Sequence, residues 1–370
     1  MSADDDLCHM RHALALGQRG WGYTWPNPAV GCVIVQGSRV VGRGWTQSGG
    51  RPHAETMALA QAGAAARGAT AYVTLEPCSH HGQTQPCADA LIASGIARVV
   101  SATTDPDPRV SGQGHSRLRQ EGVVVTEGVA GAEAQQANAG FFLRVRSSRP
   151  QVTLKLATTL DGRIATATGA SRWITGPQAR RKVHALRAQS DAVMVGVGTA
   201  LADDPDLTVR DIGVARQPVR IVVDSGLRLP LSSRLVQSAK DGPLWLCHGA
   251  ASDRAKAALT RAGARLVACG PGPGKPDLGA VLAALAQAGL TRILCEGGAA
   301  IAAALLQAGL VDDLMLFSAG RIIGDGGKGA VGALTSGNPL AGLPQFELID
   351  HRRLGDDLLA HWRLRAATAG

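Results

Sequence analysis

The stretch Arg51-Pro52-His53-Ala54-Glu55, taken with Glu76-Pro77-Cys78 and Gln85-Pro86-Cys87, constrains this chain more than any other feature. It supplies one imidazole, two thiols and one carboxylate. A catalytic zinc ion takes three protein ligands of this kind and keeps a fourth position for water, whose pKa it lowers towards neutrality. A nearby carboxylate that does not touch the metal can then carry protons. His53, Cys78 and Cys87 are therefore the candidate ligands, and Glu55 is the candidate acid/base group. A fold that uses them must bring three separate segments to one point.

Each piece alone has a bland alternative, since a cysteine often serves as a small buried hydrophobe. The local pattern argues for more. Ala71 to Leu75 reads as a short buried strand that delivers Cys78 just past its end. His53 opens a helical run, Thr56 to Ala66. Cys87 opens another, Ala88 to Ser94, stopped by Gly95. Two helix N-termini then face one site, where their dipoles favour thiolate over thiol.

His-x-Glu followed by Pro-Cys and a second Cys is the arrangement of zinc nucleobase deaminases. The spacing departs from it: eight residues separate Cys78 from Cys87, in place of the usual two. With Pro26-Asn27-Pro28-Ala29-Val30-Gly31 and Glu76-Pro77-Cys78-Ser79-His80-His81-Gly82, the segment resembles the deaminase half of the bifunctional riboflavin-biosynthesis deaminase/reductase family. The resemblance implies zinc on His53, Cys78 and Cys87, with Glu55 as proton carrier. His80 and His81 are either substrate contacts or solvated loop residues.

The remainder of the first half alternates helices and strands. Leu7 to Gly17 reads as a helix. Ala29 to Val35 and Arg39 to Gly44 read as a hairpin around Gln36-Gly37-Ser38. Ala97 to Ala102 and Val123 to Thr126 are further strands. The turn-rich Asp105-Pro106-Asp107-Pro108 and a helix at Arg117 to Glu121 lie between them, and Ala132 to Arg146 closes the unit as one helix. Ser147-Ser148-Arg149-Pro150 punctuates the chain. The expected domains are 1–147 and 148–370, both α/β layered.

The second half opens on the strand Gln151 to Ala157. Pro177 to Ser190 reads as a helix, with Thr175 as a plausible N-cap. Strands follow at Ala192–Val197, Val219–Val223, Pro243–Cys247, Arg265–Ala268, Arg292–Cys295 and Asp313–Ala319, and Gly270 to Pro276 is a Gly/Pro loop. No Gly-x-Gly-x-x-Gly follows the first strand, so an ordinary dinucleotide fingerprint is absent. Instead Cys295-Glu296-Gly297-Gly298 lies between a strand and a helix over Ala299 to Ala308. Paired glycines there admit close backbone approach by a ligand, and the helix start offers N–H groups to phosphate. A plain turn is the alternative.

Leu154-Lys155-x-Ala157 through Asp161-Gly162, Ser171-Arg172-Trp173-Ile174-Thr175, Leu201-Ala202-Asp203-Asp204-Pro205 and Glu296-Gly297-Gly298 resemble the reductase half of the same family. The resemblance thus spans nearly the whole chain. It implies a cytidine-deaminase-like three-layer αβα domain followed by a dihydrofolate-reductase-like α/β domain that uses NADPH. It further implies that Ala157, Trp173, Thr199, Asp203, Ser225 and the run Gly298, Ala299, Ala300, Ile301, Ala302, Ala303 and Ala304 face the cofactor. Ser171, Arg187, Leu207, Arg210 and Glu296 would face the substrate, with Arg187 and Arg210 on its phosphate. Lys155 is the candidate for polarising the sugar or assisting proton transfer. Taken alone, Trp173 reads equally as core, Asp203 as a turn acid, and Lys155 and each Arg as surface residues.

Composition narrows the partners. Residues 1–150 hold 13 Arg, no Lys and 11 acids, so most of the +9 net charge lies in the second half. A basic excess suits a phosphate-bearing substrate or cofactor. No Lys/Arg-rich block exists and aromatics are 3%, which argues against nucleic acid. No run approaches the length of a membrane span. The acidic start, Met1 to Asp6, is unlike a secretory leader, and seven cysteines without disulfide-like spacing suit a reducing cytoplasm. A homo-oligomer is expected. The expected activity is zinc-dependent deamination of a phosphorylated diaminopyrimidinone ribotide, followed by NADPH-dependent reduction of its ribosyl group to ribityl. The rivals are a nucleoside or nucleic-acid base deaminase with a non-catalytic second domain, and a zinc-stabilised interaction protein; the latter would normally close four ligands.

Overall fold

Alternation along the strands of the first unit sorts its side chains into two cores, one on each face of a five-stranded sheet. A computed structural model describes residues 2–79, 85–108, 110–214, 216–270, 277–334 and 343–365. The chain divides into two units, Met1–Ser148 and Arg149–Gly370.

The first unit runs α1 (Ala3–Gly17), β1 (Gly31–Gln36), β2 (Arg39–Trp45), α2 (Ala54–Ala62), β3 (Thr70–Val73), α3 (Cys87–Ala93), β4 (Arg98–Ser101), α4 (Gln113–Gln120), β5 (Val124–Glu127), α5 (Gly131–Ala137) and α6 (Ala139–Ser147). The sheet order is β2-β1-β3-β4-β5, antiparallel through β3 and parallel beyond. Cys32, Ile34, Ala71, Val73 and Val99 point into a core with α2, α3, α4 and α6. Val33, Val35, Tyr72 and Val100 point the other way, against Met10, Ala13 and Leu14 of α1 and Ala134 of α5. Three layers follow from the period-two pattern alone.

Several boundaries differ from the sequence expectation. Helix α1 starts at Ala3 rather than Leu7, because Ser2 and Asp5 form a reciprocal capping box. The hairpin turn is Gly37-Ser38, since Gln36 already pairs with Arg39. Helix α4 begins at Gln113, four residues before the expected start. The expected helix 132–146 is two helices, broken at Asn138 (φ −109°, ψ 21°). The break has a use. Asn138 Oδ1 accepts from the Ala29 N–H at 2.9 Å, and its Nδ2 donates to the Ala29 carbonyl at 3.2 Å. Both residues are buried, so this side chain satisfies the backbone of the Pro28-Ala29 segment.

The second unit runs β6 (Gln151–Thr159), β7 (Arg163–Ala165), α7 (Pro177–Ala188), β8 (Ala192–Gly196), α8 (Val197–Asp203), β9 (Val219–Val223), α9 (Arg234–Gln237), β10 (Leu244–His248), α10 (Asp253–Arg261), β11 (Arg265–Ala268), α11 (Leu278–Gln287), β12 (Arg292–Cys295), α12 (Ala299–Gln307), β13 (Asp313–Ala319), β14 (Lys328–Gly329), β15 (Phe346–Leu354) and β16 (Asp357–Leu364). Its main sheet has the order β11-β10-β9-β8-β12-β6-β13-β16-β15. It is parallel up to β13 and ends in the antiparallel hairpin β16-β15. Strands β9 and β10 are buried throughout, as parallel strands covered on both faces should be.

The hairpin, the small β7–β14 pair and helix α8 were not anticipated. Thr175 is not the cap of α7. The N-cap is Gly176, whose N–H donates to Asp357 Oδ2 at 2.7 Å, and Pro177 at the first turn needs no N–H partner. Residues 271–276 of the expected Gly/Pro loop lie outside the described residues, as do His80 and His81.

Replacing Asn138 with Ala leaves the buried N–H and C=O of Ala29 without their partner. The expected destabilisation is about 2 kcal/mol, read as a lower urea midpoint with an unchanged slope. An unchanged midpoint would show that Asn138 does not secure this segment.

Candidate active sites

His53 is the N-cap residue of α2 and makes no side-chain cap hydrogen bond, so its ring is available to the pocket. Cys87 is the first residue of α3, and its backbone N–H donates to Cys78 Sγ at 3.3 Å. His53 Nδ1 lies 3.2 Å from Cys87 Sγ and 3.6 Å from Cys78 Sγ. All three ligand atoms fall within 4.8 Å of one another. Zinc bonds of about 2.0–2.3 Å set tetrahedral ligand atoms roughly 3.5 Å apart, so this donor set fits the ion.

The electrostatics agree. Hydrogen bonding from the Cys87 thiol, aided by His53 and the Cys87 N–H, pulls the Cys78 thiol down to about 4 against its burial. As donor in that pair, Cys87 is pushed up, and burial adds to the effect. Hydrogen bonding to Cys78 raises His53. Glu55 is 3% exposed. Burial, reinforced by the charge on Cys78, lifts its carboxyl to about 7, the range in which a carboxylate both takes and returns a proton.

His53, Glu55 and Cys78 line one pocket with Asn27, Arg51, Glu76, Asp105, Asp107 and Arg144. The sequence reading gave none of these six a role. Asp105-Pro106-Asp107-Pro108 reads as a turn, and only the fold shows that its acids turn inward. Burial pushes Asp105 up to about 6.

In the second unit, β12 lies between β6 and β8. The residue after it, Glu296, receives Arg187 of α7 on both oxygens: Nε at 2.5 Å and Nη2 at 2.9 Å. Arg187 Nη1 donates to the Thr208 carbonyl at 2.7 Å. Burial opposes ionisation of Glu296, but Arg187, with help from Lys155, outweighs it and lowers its pKa. Lys155 of β6 is partly buried, with Nζ 6.0 Å from the Phe317 ring centre. Burial lowers its pKa, opposed by Glu296. Lys155, Arg187 and Glu296 thus form one charged group.

A second group surrounds the paired glycines. Gly298 has φ +68°, and a Cβ there would stand 2.5 Å from Thr199 Oγ1. Thr199 Oγ1 donates to the Gly297 carbonyl at 3.3 Å. This bare backbone before α12, without a side-chain cap, fits a phosphate of a dinucleotide. Ala300 and Ala304 are exposed, Ala299 is partly buried, and Ile301, Ala302 and Ala303 are buried. Arg172 Nη2 donates to the Asp203 carbonyl at 2.7 Å, which joins the Trp173 segment to the end of α8. Trp173 is 61% exposed beneath the Arg180 guanidinium. Ala157 packs beside the Val183 and Leu186 cluster, and Ser225 follows the end of β9. Ser171 is partly buried. Leu207 is turned into the core with Val193 and Leu235, while Arg210 is exposed and paired with Asp206 at 3.0 Å.

Comparison with known proteins gives a consistent result. Residues 150–360 match the family described as RibD C-terminal domain. Residues 3–103 match the cytidine and deoxycytidylate deaminase zinc-binding region. The chain is 45% identical over 368 residues to riboflavin biosynthesis protein RibD of Escherichia coli, covering 96% of this chain and 98% of that protein. Identity to the Aquifex aeolicus protein of the same name is 42% over 326 residues, covering 88% and 90%. The solved structure of Acinetobacter baumannii RibD superposes with a TM-score of 0.88 at 36% identity, covering 99% of this chain and 100% of that chain. The Thermotoga maritima diaminohydroxyphosphoribosylaminopyrimidine deaminase/5-amino-6-(5-phosphoribosylamino)uracil reductase gives 0.85 at 32% identity, covering 98% and 99%.

The donor set predicts about one zinc per chain. Elemental analysis of Cys87→Ala should show strong loss of zinc. Unchanged stoichiometry would remove Cys87 from the site.

Proposed function

This chain belongs to the bifunctional riboflavin-biosynthesis deaminase/reductase family, and from that premise we propose how its own residues divide the work. The protein hydrolytically deaminates a phosphorylated diaminopyrimidinone ribotide, using zinc. With NADPH it then reduces the ribosyl group of the product to ribityl. A second half that only binds, or a purely structural zinc, has no place in this activity.

Deamination is assigned to residues 1–147, with zinc on His53, Cys78 and Cys87. A zinc ion held there makes water nucleophilic near neutral pH. The single observation that carries the rest is Glu55, a buried carboxylate in the same pocket with its pKa raised to about 7. Its carboxylate takes the proton released as water adds to the amino-bearing ring carbon. It returns a proton to the departing amine, which leaves as ammonia while the ring gains a carbonyl. Cys87 opens α3 and its N–H donates to Cys78 Sγ, so the start of this helix favours negative charge on the sulfurs.

Reduction is assigned to residues 148–370. NADPH supplies the hydride. Gly298 and the start of α12 cradle a cofactor phosphate, with Ala299, Ala300, Ile301, Ala302, Ala303 and Ala304 forming the helix behind it. Thr199, Asp203, Trp173, Ala157 and Ser225 complete the cofactor side. As hydride reaches the ribosyl C1, its bond to the ring oxygen breaks and that oxygen needs a proton. Lys155, held beside Glu296, is the residue placed to polarise or protonate it. Ser171, Arg210 and Glu296 are the substrate side, with Arg210 for the phosphate; Leu207 is turned into the core instead, and Arg187, whose three nitrogens donate to Glu296 and the Thr208 carbonyl, acts through Glu296 rather than on the phosphate.

The cytoplasm as compartment and a homo-oligomer as assembly belong to the same proposal. All seven cysteines are free thiols, as a reducing compartment requires. Strand β15 is an exposed nine-residue sheet edge, a ready template for pairing with another chain. Among the described residues no helix is long and apolar enough to cross a membrane.

Glu55→Gln removes the proton carrier at nearly constant size. Deamination should fall about 10² to 10⁴-fold, with zinc retained and reduction of supplied deaminated ribotide unchanged. Lys155→Ala should show the reverse: the ribotide is deaminated and the unreduced intermediate accumulates, seen by mass spectrometry. Loss of both activities in a well-folded Glu55→Gln protein would contradict separate sites. For the cofactor, fluorescence titration of the full chain should show NADPH binding that Gly298→Val abolishes; retained binding would remove Gly298 from the cradle.

A further inference from the structure

We propose that Glu76 is a positioning residue of the deaminase pocket. Its carboxylate ties the segment Asp105–His115 to the metal-ligand loop and so sets the wall that faces the pyrimidine. The proposal rests on the assignment of deamination to this pocket.

Glu76 is 3% exposed, two residues before Cys78. Four backbone N–H groups converge on its two oxygens. Oε1 accepts from Gly114 at 2.8 Å and His115 at 3.5 Å. Oε2 accepts from Gly112 at 2.9 Å and Asp105 at 3.2 Å. Three of these donors belong to the start of α4, whose N-cap Gly112 has no side chain to satisfy them. The cap therefore comes from a residue remote in sequence. The fit is close: a Cβ on Gly114 would lie 2.0 Å from the Pro77 carbonyl oxygen. The Glu76 N–H in turn donates to the Thr103 carbonyl at 2.9 Å, which anchors the segment at its other end.

The tie continues to the pocket surface. Asp105, held by Glu76 through its N–H, accepts the Asp107 N–H on Oδ1 at 2.8 Å. Asp105, Asp107 and Val110 line the pocket with His53 and Cys78. One carboxylate thus connects the loop that carries a metal ligand to the opposite, acidic wall. The chemistry requires an acid there. A carboxylate accepts on both oxygens, whereas a glutamine would turn its NH₂ towards two of the four donors.

The test uses the full-length, zinc-loaded protein and the variants Glu76→Gln and Glu76→Asp. Deamination KM and kcat, zinc content and NADPH-dependent reduction of the deaminated ribotide are measured for each. Glu76→Gln should raise the deamination KM by about tenfold or more, with zinc retained and reduction unchanged. Glu76→Asp keeps both acceptor oxygens on a shorter arm and should fall between the two. A fall in kcat at unchanged KM would mean fewer folded molecules and would overturn the proposal, as would loss of zinc. If Glu76→Gln does not fold, Glu76→Asp decides by the same KM reading. A wild-type protein that reduces but does not deaminate would overturn the pocket assignment and this proposal together; unchanged KM in variants of an active wild type would sink this proposal alone.

Discussion

The hydrogen bond from the Cys87 N–H to the Cys78 sulfur is the point on which the first half of the molecule depends. It exists because α3 starts at Cys87 and aims its unpaired N–H groups at the loop leaving β3. The other side of the site needs α2 at a matching height, with His53 at its head. That height is set by glycines in β2. A Cβ at Gly44 would lie 2.1 Å from the Ala54 carbonyl oxygen, and one at Gly42 would lie 2.3 Å from that of Ala58. With any larger residue at these positions, α2 would ride away from the sheet and withdraw His53 from the two thiols. The cluster of His53, Cys78 and Cys87 is thus a product of helix–sheet packing as much as of its own side chains.

The second half solves a different problem with the same device, the ends of elements. Insertion of β12 between β6 and β8 places Lys155, Glu296 and Thr199 on neighbouring strands or just beyond them. Ligands of parallel sheets bind outside the carboxyl ends of strands, and Glu296-Gly297-Gly298 follows one such end. Burying Glu296 with Arg187 is costly in solvation and returns little net stability. Removing one partner would leave an uncompensated charge, so the pair is best understood as fixing where Glu296 stands beside Lys155.

Much of this was legible in the sequence. The candidate ligands and Glu55 share a compact motif, and the parallel strands β9, β11, β12 and β13 appear as apolar runs with the observed limits. What was not legible depends on distance. Nothing near Asn138 announces that its amide will pair with Ala29, so 132–146 reads as one helix. The Ser2–Asp5 capping box did carry a local signal, and a reading from apolar periodicity passes over it. Thr175 has the chemistry of an N-cap, but the chain bends so that Asp357 meets Gly176 instead. Strand β15 alternates too weakly to declare itself, because both of its faces are largely exposed. The roles of Glu76 and Asp105 were hidden for the same reason: their partners are backbone groups, which the sequence does not distinguish.

The two halves surround their candidate sites with different charge. A dication bound by two sulfurs is stabilised by negative surroundings, and the first pocket supplies Glu55, Glu76, Asp105 and Asp107 around His53. NADPH and a phosphorylated sugar bring several negative charges and need the opposite environment. The second half carries most of the net positive charge of the chain. The acid placed among its candidate substrate residues, Glu296, is paired with Arg187 and further favoured in its charged form by Lys155. The first pocket also carries Arg51 and Arg144, so it too offers positive charge to a phosphorylated ligand.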